Sequence, residues 1–236
     1  MAAPLTEAAI EQVRQLIATG QLQPGQRLPP EAELADLLGT GKSTVREAVR
    51  ALATARVLDV RRGDGTFVTS LRPELLLAGI GAAADLMQDG FTLELVQVRR
   101  ILEPAATAMA ATLITDAVIA ELEGCLHLMS AAESQDELVH HDEQFHRLVA
   151  DAAGNATLAS MLAGVSSRTT RGRAWRGVIE AGATERTIAE HAEILAALRA
   201  RDPRLAEAAA LMHVSTTETW YRNVLNAAAA AALAIE

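Results

Sequence analysis

Residues 37–49 read LLGTGKSTVREAV, and this stretch decides how the N-terminal part of the chain folds. Gly41-Lys42-Ser43-Thr44 has the ending of a phosphate-binding loop. Such a loop needs a glycine at position 36 and a strand leading into it. Position 36 is Asp36, and Ala32 to Leu38 has helical character. Lys42 therefore does not belong to a nucleotide-binding loop. It leads instead into a helix over about 43–54. Val45, Ala48, Val49 and Leu52 recur at i, i+3, i+4 and i+7 and form an inward face, while Lys42, Arg46 and Arg50 lie four apart on another.

Upstream, residues 5–19 predict a helix with Ala9, Ile10, Val13, Leu16 and Ile17 on one face, stopped by Gly20. Pro24-Gly25 centres a turn, and 31–38 predicts a short helix ended by Gly39. Downstream, Val57 to Arg61 and Thr66 to Thr69 are β-type runs joined by Arg62-Gly63-Asp64-Gly65, a hairpin pattern. Three helices and a hairpin make a winged helix-turn-helix. In such a module the second helix of the helix-turn-helix pair enters a DNA major groove N-terminus first. Lys42, Ser43 and Thr44 then supply short polar groups and a cation at that end. Arg46 and Arg50 lie further along the ridge, and arginine forks onto guanine. On the wing, Arg62 and the neighbouring Arg61 are basic, and Gly63 lets the backbone approach the duplex.

Charge is divided in the same way. The 236-residue chain has a formal net charge of -9, which for the whole chain argues against nucleic acid. Residues 1–72 carry nine Lys/Arg and eight Asp/Glu, whereas 73–236 carry twelve and twenty-two. A small module that meets an anion is joined to a larger acidic one. Pro73 marks the expected linker, giving a DNA-binding domain over 1–72 and a second, acidic domain over 73–236. The second part shows helical periods throughout, as in Leu95, Val98, Ile101, Leu102, Ala105, Ala106 and Met109. Gly90, Gly154, Gly164 and Asp202-Pro203 punctuate it. An antiparallel bundle of six or seven helices is expected, so the fold class is mainly α. The single Cys125 rules out an internal disulfide; no signal peptide or membrane span is read, and a cytoplasmic location is expected.

The segment GQLQPGQRLPPEAELADLLGTGKSTVREAVRALATARVLDVRRGDGTFV, residues 20–68, closely resembles the DNA-binding domain of the GntR family of bacterial transcription regulators. It carries the pattern G-x-L-x-P-G-x-x-L-P-x-E-x-E-L-A, then T-V-R-E-A, then a G-x-G-T-F-V wing. The resemblance implies a double-stranded DNA operator as partner. This chain has Gly41-Lys42 where the family usually has Ser-Arg, and Ala32 near a position often basic. Its preferred operator is expected to differ accordingly.

Five of the six histidines lie between 140 and 213. Asp142 and His146 are spaced i, i+4 and share a helix face. His191 and His213 stand 22 residues apart, across a helix, the Asp202-Pro203 turn and the start of the next helix. Three imidazoles and one carboxylate suit a borderline divalent cation: zinc first, manganese or nickel as alternatives. Read from spacing alone, the same four side chains also fit ordinary bundle positions. His127, His140 and His141 read as surface or core residues. Arg99 is a candidate anchor for a carboxylate, with Arg100 competing and an i, i+4 pair with Glu103 as the plainer reading. Asn155 reads as a helix cap. Residues 166–177, SSRTTRGRAWRG, either line a polar pocket or form an exposed basic helix end.

This half resembles the FCD ligand-binding domain, the all-helical effector domain of the FadR subfamily of GntR regulators, over about 91–222. Its pattern is Arg-x-x-x-Glu, then D-x-x-x-H, then two later histidines, here Arg99 with Glu103, Asp142 with His146, His191 and His213. The resemblance implies that 73–236 is the effector-binding domain, that Asp142, His146, His191 and His213 hold a divalent ion and that a carboxylate effector completes its coordination. The expected function is a homodimeric, ligand-responsive repressor that senses a small carboxylic or sugar acid. Two rival classes compete with it. A metal-dependent hydrolase or lyase would need a general base, for which only Glu143 is near, about 100° around the helix from Asp142. A constitutive DNA-binding protein would have no use for the Asp/His constellation.

Overall fold

The computed structural model describes residues 2–80 and 91–233. The chain divides into two compact units, Met1–Gly79 and Ile80–Glu236. In the first, α1 (Ala2–Ala18), α2 (Glu31–Leu38) and α3 (Lys42–Thr54) precede a hairpin of β1 (Leu58–Arg61) and β2 (Gly65–Val68). A single turn of helix, α4 (Pro73–Leu76), comes next. Each boundary has a local cause. Gly39 ends α2 in the left-handed conformation at φ 61°, which costs glycine nothing for want of a Cβ. Gly41 caps α3 in extended conformation, so the helix begins at Lys42, one residue before the expected start. The strands pair antiparallel with Arg61 opposite Gly65. Val13, Leu34, Val45, Ala48, Leu58 and Val68 are buried together and fasten the three helices to the hairpin. Burial of each of the larger side chains stabilises by about 1.5–3 kcal/mol.

One pairing is not foreshadowed by the sequence. Residues 25–28 lie along β2, with Gly25 N–H bonded to Val68 O, Val68 N–H to Gln26 O and Leu28 N–H to Thr66 O. Arg27 bridges to Phe67, and its guanidinium sits where a Cβ on Gly65 would be, 2.6 Å from Nε. The Pro24-Gly25 turn thus returns the chain onto the wing.

The second unit is all helix among the described residues: α5 (Thr92–Leu113), α6 (Asp116–Ala131), α7 (Gln135–Ala152), α8 (Ala156–Ile179), α9 (Ala183–Arg199) and α10 (Pro203–Leu233). Helix α5 packs against α7, α8 and α10, and α6 against α7 and α9. Thr115, Ser134 and Asn155 cap α6, α7 and α8 through side-chain oxygens. Asn155 is thus the cap expected of it. Ala110, Leu122, Phe145, Val149, Leu195 and Leu198 belong to a dry core between α5, α6, α7 and α9.

One expectation needs correction: Gly164 does not interrupt a helix but lies inside α8. The expected helical period runs through α5, where Leu95 and Ala106 are buried while Ile101 is 67 % exposed and Val98 and Met109 are exposed with it. The buried face also carries Arg99, Glu103 and Thr107, one turn apart. The break expected at Gly90 lies outside the described residues.

Candidate metal centre and nucleic-acid interface

The α3 surface presents Lys42, Ser43, Arg46 and Arg50 to solvent, with Thr44 half-buried. Gly41 makes no side-chain cap bond to the first turn, so backbone N–H groups at that end have no capping oxygen from it. Arg46 forks onto Glu31 at the start of α2, with Nη2 to Oε2 at 2.8 Å and Nε to Oε1 at 3.3 Å. That hydrogen bond lowers the Glu31 pKa against the opposing effect of burial, and the charges of Arg46, Arg50 and Lys42 add to it. Arg50 pairs with Glu47 at 3.0 Å. Both pairs are exposed and weak, so a phosphate or base edge competes with them on even terms. On the wing, Arg62 is exposed and Gly63 has φ 81°. Arg61 pairs with Asp59 and stacks over Phe67, 4.3 Å from the ring centroid. Arg27 adds an exposed cation beside the wing that sequence reasoning missed. Its signal was only the spacing of the turn before it.

In the helical unit the four expected ligands converge. Asp142 and His146 come from α7, His191 from α9 and His213 from α10, and one ligand atom from each lies within 4.8 Å of every other. Asp142, His191 and His213 are each no more than 3 % exposed. Asp142 Oδ1 stands 3.2 Å from His191 Nε2 and 3.7 Å from His146 Nε2. The Nε2 atoms of His146, His191 and His213 are buried without a hydrogen-bond partner.

The other ring nitrogens of His191 and His213 are hydrogen-bonded. His191 Nδ1 donates to the Thr187 carbonyl at 2.7 Å, and His213 Nδ1 to Glu190 Oε2 at 2.9 Å. His146 Nδ1 lies 3.6 Å from Glu103 Oε2, an ion-pair contact longer than a hydrogen bond. For His191 and His213, holding Nδ1–H outward puts the Nε2 lone pair inward, which is the second layer of contacts that metal-binding histidines use. Burial, reinforced by the neighbouring rings and opposed by Glu103 and Asp142, pushes His146 well below the ordinary imidazole value. Burial and the charge of His191 lower His213 as well. Both shifts favour the neutral form that ligation requires. Three orphaned imidazole nitrogens and a carboxylate at this spacing fit a divalent ion.

Arg99 is 1 % exposed, whereas Arg100 is 44 % exposed and pairs with Glu218. Of the two competing arginines, Arg99 is the one inside. Its fork is taken by Glu103, with Nε to Oε1 at 2.5 Å and Nη2 to Oε2 at 3.2 Å, and Nη1 donates to Thr169 at 3.0 Å. Burial opposes ionisation of Glu103, but Arg99 and His146 hold its pKa down to about 2. The i, i+4 pair expected on a surface is therefore a buried pair that backs onto His146. His127 and His140 are exposed and His141 stands outside the cluster. Glu143, the base a hydrolase would need, is exposed on α7. Of the arginine-rich segment, Arg176 is 4 % exposed. The side chains of Arg168, Arg171, Arg173 and Trp175 lie outside the described residues.

The FCD domain family matches residues 94–216, and the gntR family of bacterial regulatory proteins matches residues 5–68. The chain is 30 % identical over 210 residues to the HTH-type transcriptional regulator LutR of Bacillus subtilis (strain 168), covering 86 % of this chain and 94 % of that one. It is 28 % identical over 208 residues to the galactonate operon transcriptional repressor of Escherichia coli (strain K12), covering 85 % and 90 %. The solved structure of Streptococcus agalactiae GntR superposes with a TM-score of 0.65 at 29 % identity, covering 91 % of this chain and 99 % of that one.

Proposed function

We propose, because this chain belongs to the GntR family of bacterial regulatory proteins and carries an FCD domain, that it is a metal-dependent sensor of a small organic acid that represses transcription from a DNA operator. That it is a DNA-binding transcription regulator and not an enzyme follows from the family. The rest is our reading, and the convergence of Asp142, His146, His191 and His213 carries it.

On the DNA side, α3 enters the major groove with Lys42, Ser43 and Thr44 at its leading end. Arg46 and Arg50 reach base edges or phosphates, and Arg62 and Gly63 bring the wing to the backbone. Glu31 holds the Arg46 fork extended until DNA replaces it. A homodimer in the cytoplasm, with one recognition helix for each half-site, is the assembly this requires. The described residues include no helix long and apolar enough to cross a membrane.

On the effector side, Asp142, His146, His191 and His213 hold a divalent ion, with zinc the first candidate. The ion supplies a Lewis-acidic position for a carboxylate oxygen. Thr187 and Glu190 fix the two later rings, and Glu103 backs His146. In place of the expected direct contact with the acid, Arg99 is proposed to act through Glu103, which it holds behind His146. The effector acts by differential affinity, favouring a dimer arrangement that no longer spans the half-sites. The polar cluster and the galactonate operon relative favour a hydroxylated or sugar acid.

The test is a thermal-shift screen of metal-loaded protein against organic and sugar acids, repeated after chelation, with operator release measured for each hit. An acid that raises the melting temperature only with metal present, and frees the operator, is the expected result. Metal content near zero after purification from metal-supplemented medium, with no acid response, would sink the reading.

A further inference from the structure

Arg99 is enclosed with Glu103, and a second buried guanidinium lines open space. Arg176, near the end of α8, lines two cavities. The inner one, about 20 Å³, is also lined by Asp142, His213, Thr184, Thr187 and Thr217. The outer one is a surface cleft of about 400 Å³ bounded by Glu180, Arg186, Thr216, Thr219 and Trp220. Arg176 therefore stands in the wall between solvent and two of the four clustered ligands. Its Nε donates to Glu180 Oε2 at 2.6 Å and its Nη1 to Thr217 at 3.3 Å. Glu180 is itself shared: its other oxygen lies 3.1 Å from Arg186 Nη2, and Arg186 is half exposed.

We propose that an acid enters through this cleft and that Arg176 clamps its carboxylate, with Glu180 as the resident carboxylate it displaces onto Arg186. This deepens the acid-sensing reading and rests on it. The volumes set the geometry. The inner cavity has room for about one water, or one carboxylate oxygen, beside Asp142 and His213. The cleft is large enough for the rest of a small ligand. Its threonine hydroxyls suit a hydroxylated carbon chain, so the class is a polyhydroxylated carboxylic acid. Glu180 is the displaceable partner because it is a quarter exposed and already has a second arginine, whereas Glu103 is enclosed with Arg99. The exchange swaps one carboxylate for another on Arg176, so no buried charge is left unpaired.

The experiment uses the full, zinc-supplemented chain and acetate as the probe. Glu180→Ala removes the resident carboxylate and is expected to melt lower than the parent. In about 100 mM sodium acetate it is expected to recover by about 3 °C more than the parent gains, with no such recovery in sodium chloride of equal ionic strength. Glu180→Gln, which keeps the shape, is run beside it in case the alanine variant does not fold. Adding Arg176→Gln to either variant is expected to abolish the acetate response. D-gluconate is expected to reach the same recovery at about tenfold lower concentration, because its hydroxyls occupy the cleft. Recovery that survives Arg176→Gln, or that neither Glu180 variant shows, overturns the clamp; equal potency of gluconate and acetate overturns the cleft. Zinc content of the same samples separates this from the reading beneath it. Zinc retained without acetate recovery removes the clamp and leaves the metal centre standing. Recovery without zinc keeps the clamp and removes the metal centre.

Discussion

Glu103→Gln tests the architecture of the effector domain most directly. Arg99 and Glu103 form a two-pronged pair with side chains 1 % and 7 % exposed. The amide keeps the size of Glu103 and one accepting oxygen but removes its charge, leaving Arg99 a buried cation without a counter-ion. Breaking a buried pair in this way costs about 3–5 kcal/mol. The retained oxygen argues for the lower end, about 3 kcal/mol. For a domain of this size each kcal/mol shifts the melting temperature by about 2–4 °C, so a fall of about 6–12 °C is expected by scanning calorimetry. The paired variant Arg99→Met/Glu103→Leu removes both charges and is expected to recover most of that loss. Acid has the same target. The folded pKa of Glu103 is depressed to about 2, so its contribution is complete above the ordinary carboxylate range. It is lost as pH falls from about 4.5 toward about 2. A fall under about 2 °C for Glu103→Gln, or a double variant no more stable than the single, would refute the account of the pair as buried charge with its counter-charge.

Three other outcomes are expected. Arg46→Ala should weaken operator binding by about 1–3 kcal/mol and relax base preference at one position, whereas Lys42→Ala should weaken binding to all sequences and lower the salt slope by about one; gel shifts across a salt series distinguish them. Glu190→Gln, which loosens the hydrogen bond to His213 Nδ1, should reduce zinc affinity by about 10–100-fold in competition with a chromophoric chelator, and an unchanged affinity would show that His213 is not a ligand. Gly65→Ala should destabilise the first unit by about 1–3 kcal/mol in urea, because the position has φ 120° and the new methyl meets the Arg27 guanidinium; a neutral result would mean that Arg27 swings clear and that the backbone tolerates alanine.

How much of this was legible depended on whether the information was local. In the first unit it was. Gly39, Gly41 and Gly63 each mark a backbone conformation, and Val45, Ala48 and Leu52 repeat at helical period, so elements and order emerged from neighbours in sequence. The pairing of residues 25–28 with β2 was not local, because it depends on where a turn returns the chain. In the second unit helix spacing put Asp142 and His146 on one face, and the resemblance to the FCD domain added His191 and His213 to the expected cluster. Their outer contacts were less legible: Glu190 reaches His213 from another helix, and only docking decides that.

Helix α5 carries two patterns at once. Val98, Ile101 and Met109 of its apolar period are exposed, while Arg99, Glu103 and Thr107 point in beside Leu95 and Ala106. A buried polar network is stable only when its charges are matched and its polar groups bonded, and here they are: Arg99 pairs with Glu103, Arg176 with Glu180, and His213 hydrogen-bonds to Glu190. Each brings an ionisable group into the interior with a partner four residues away or on the adjoining helix. At the centre of this network, His146 and His213 are kept neutral by burial beside the Asp142 carboxylate. A cluster of neutral donors around a carboxylate is a poor way to stabilise a bundle, since burying those groups costs more than apolar packing would. Its residues make sense as a receptacle for positive charge, and an ion held there would in turn favour a carboxylate at the Arg176 wall.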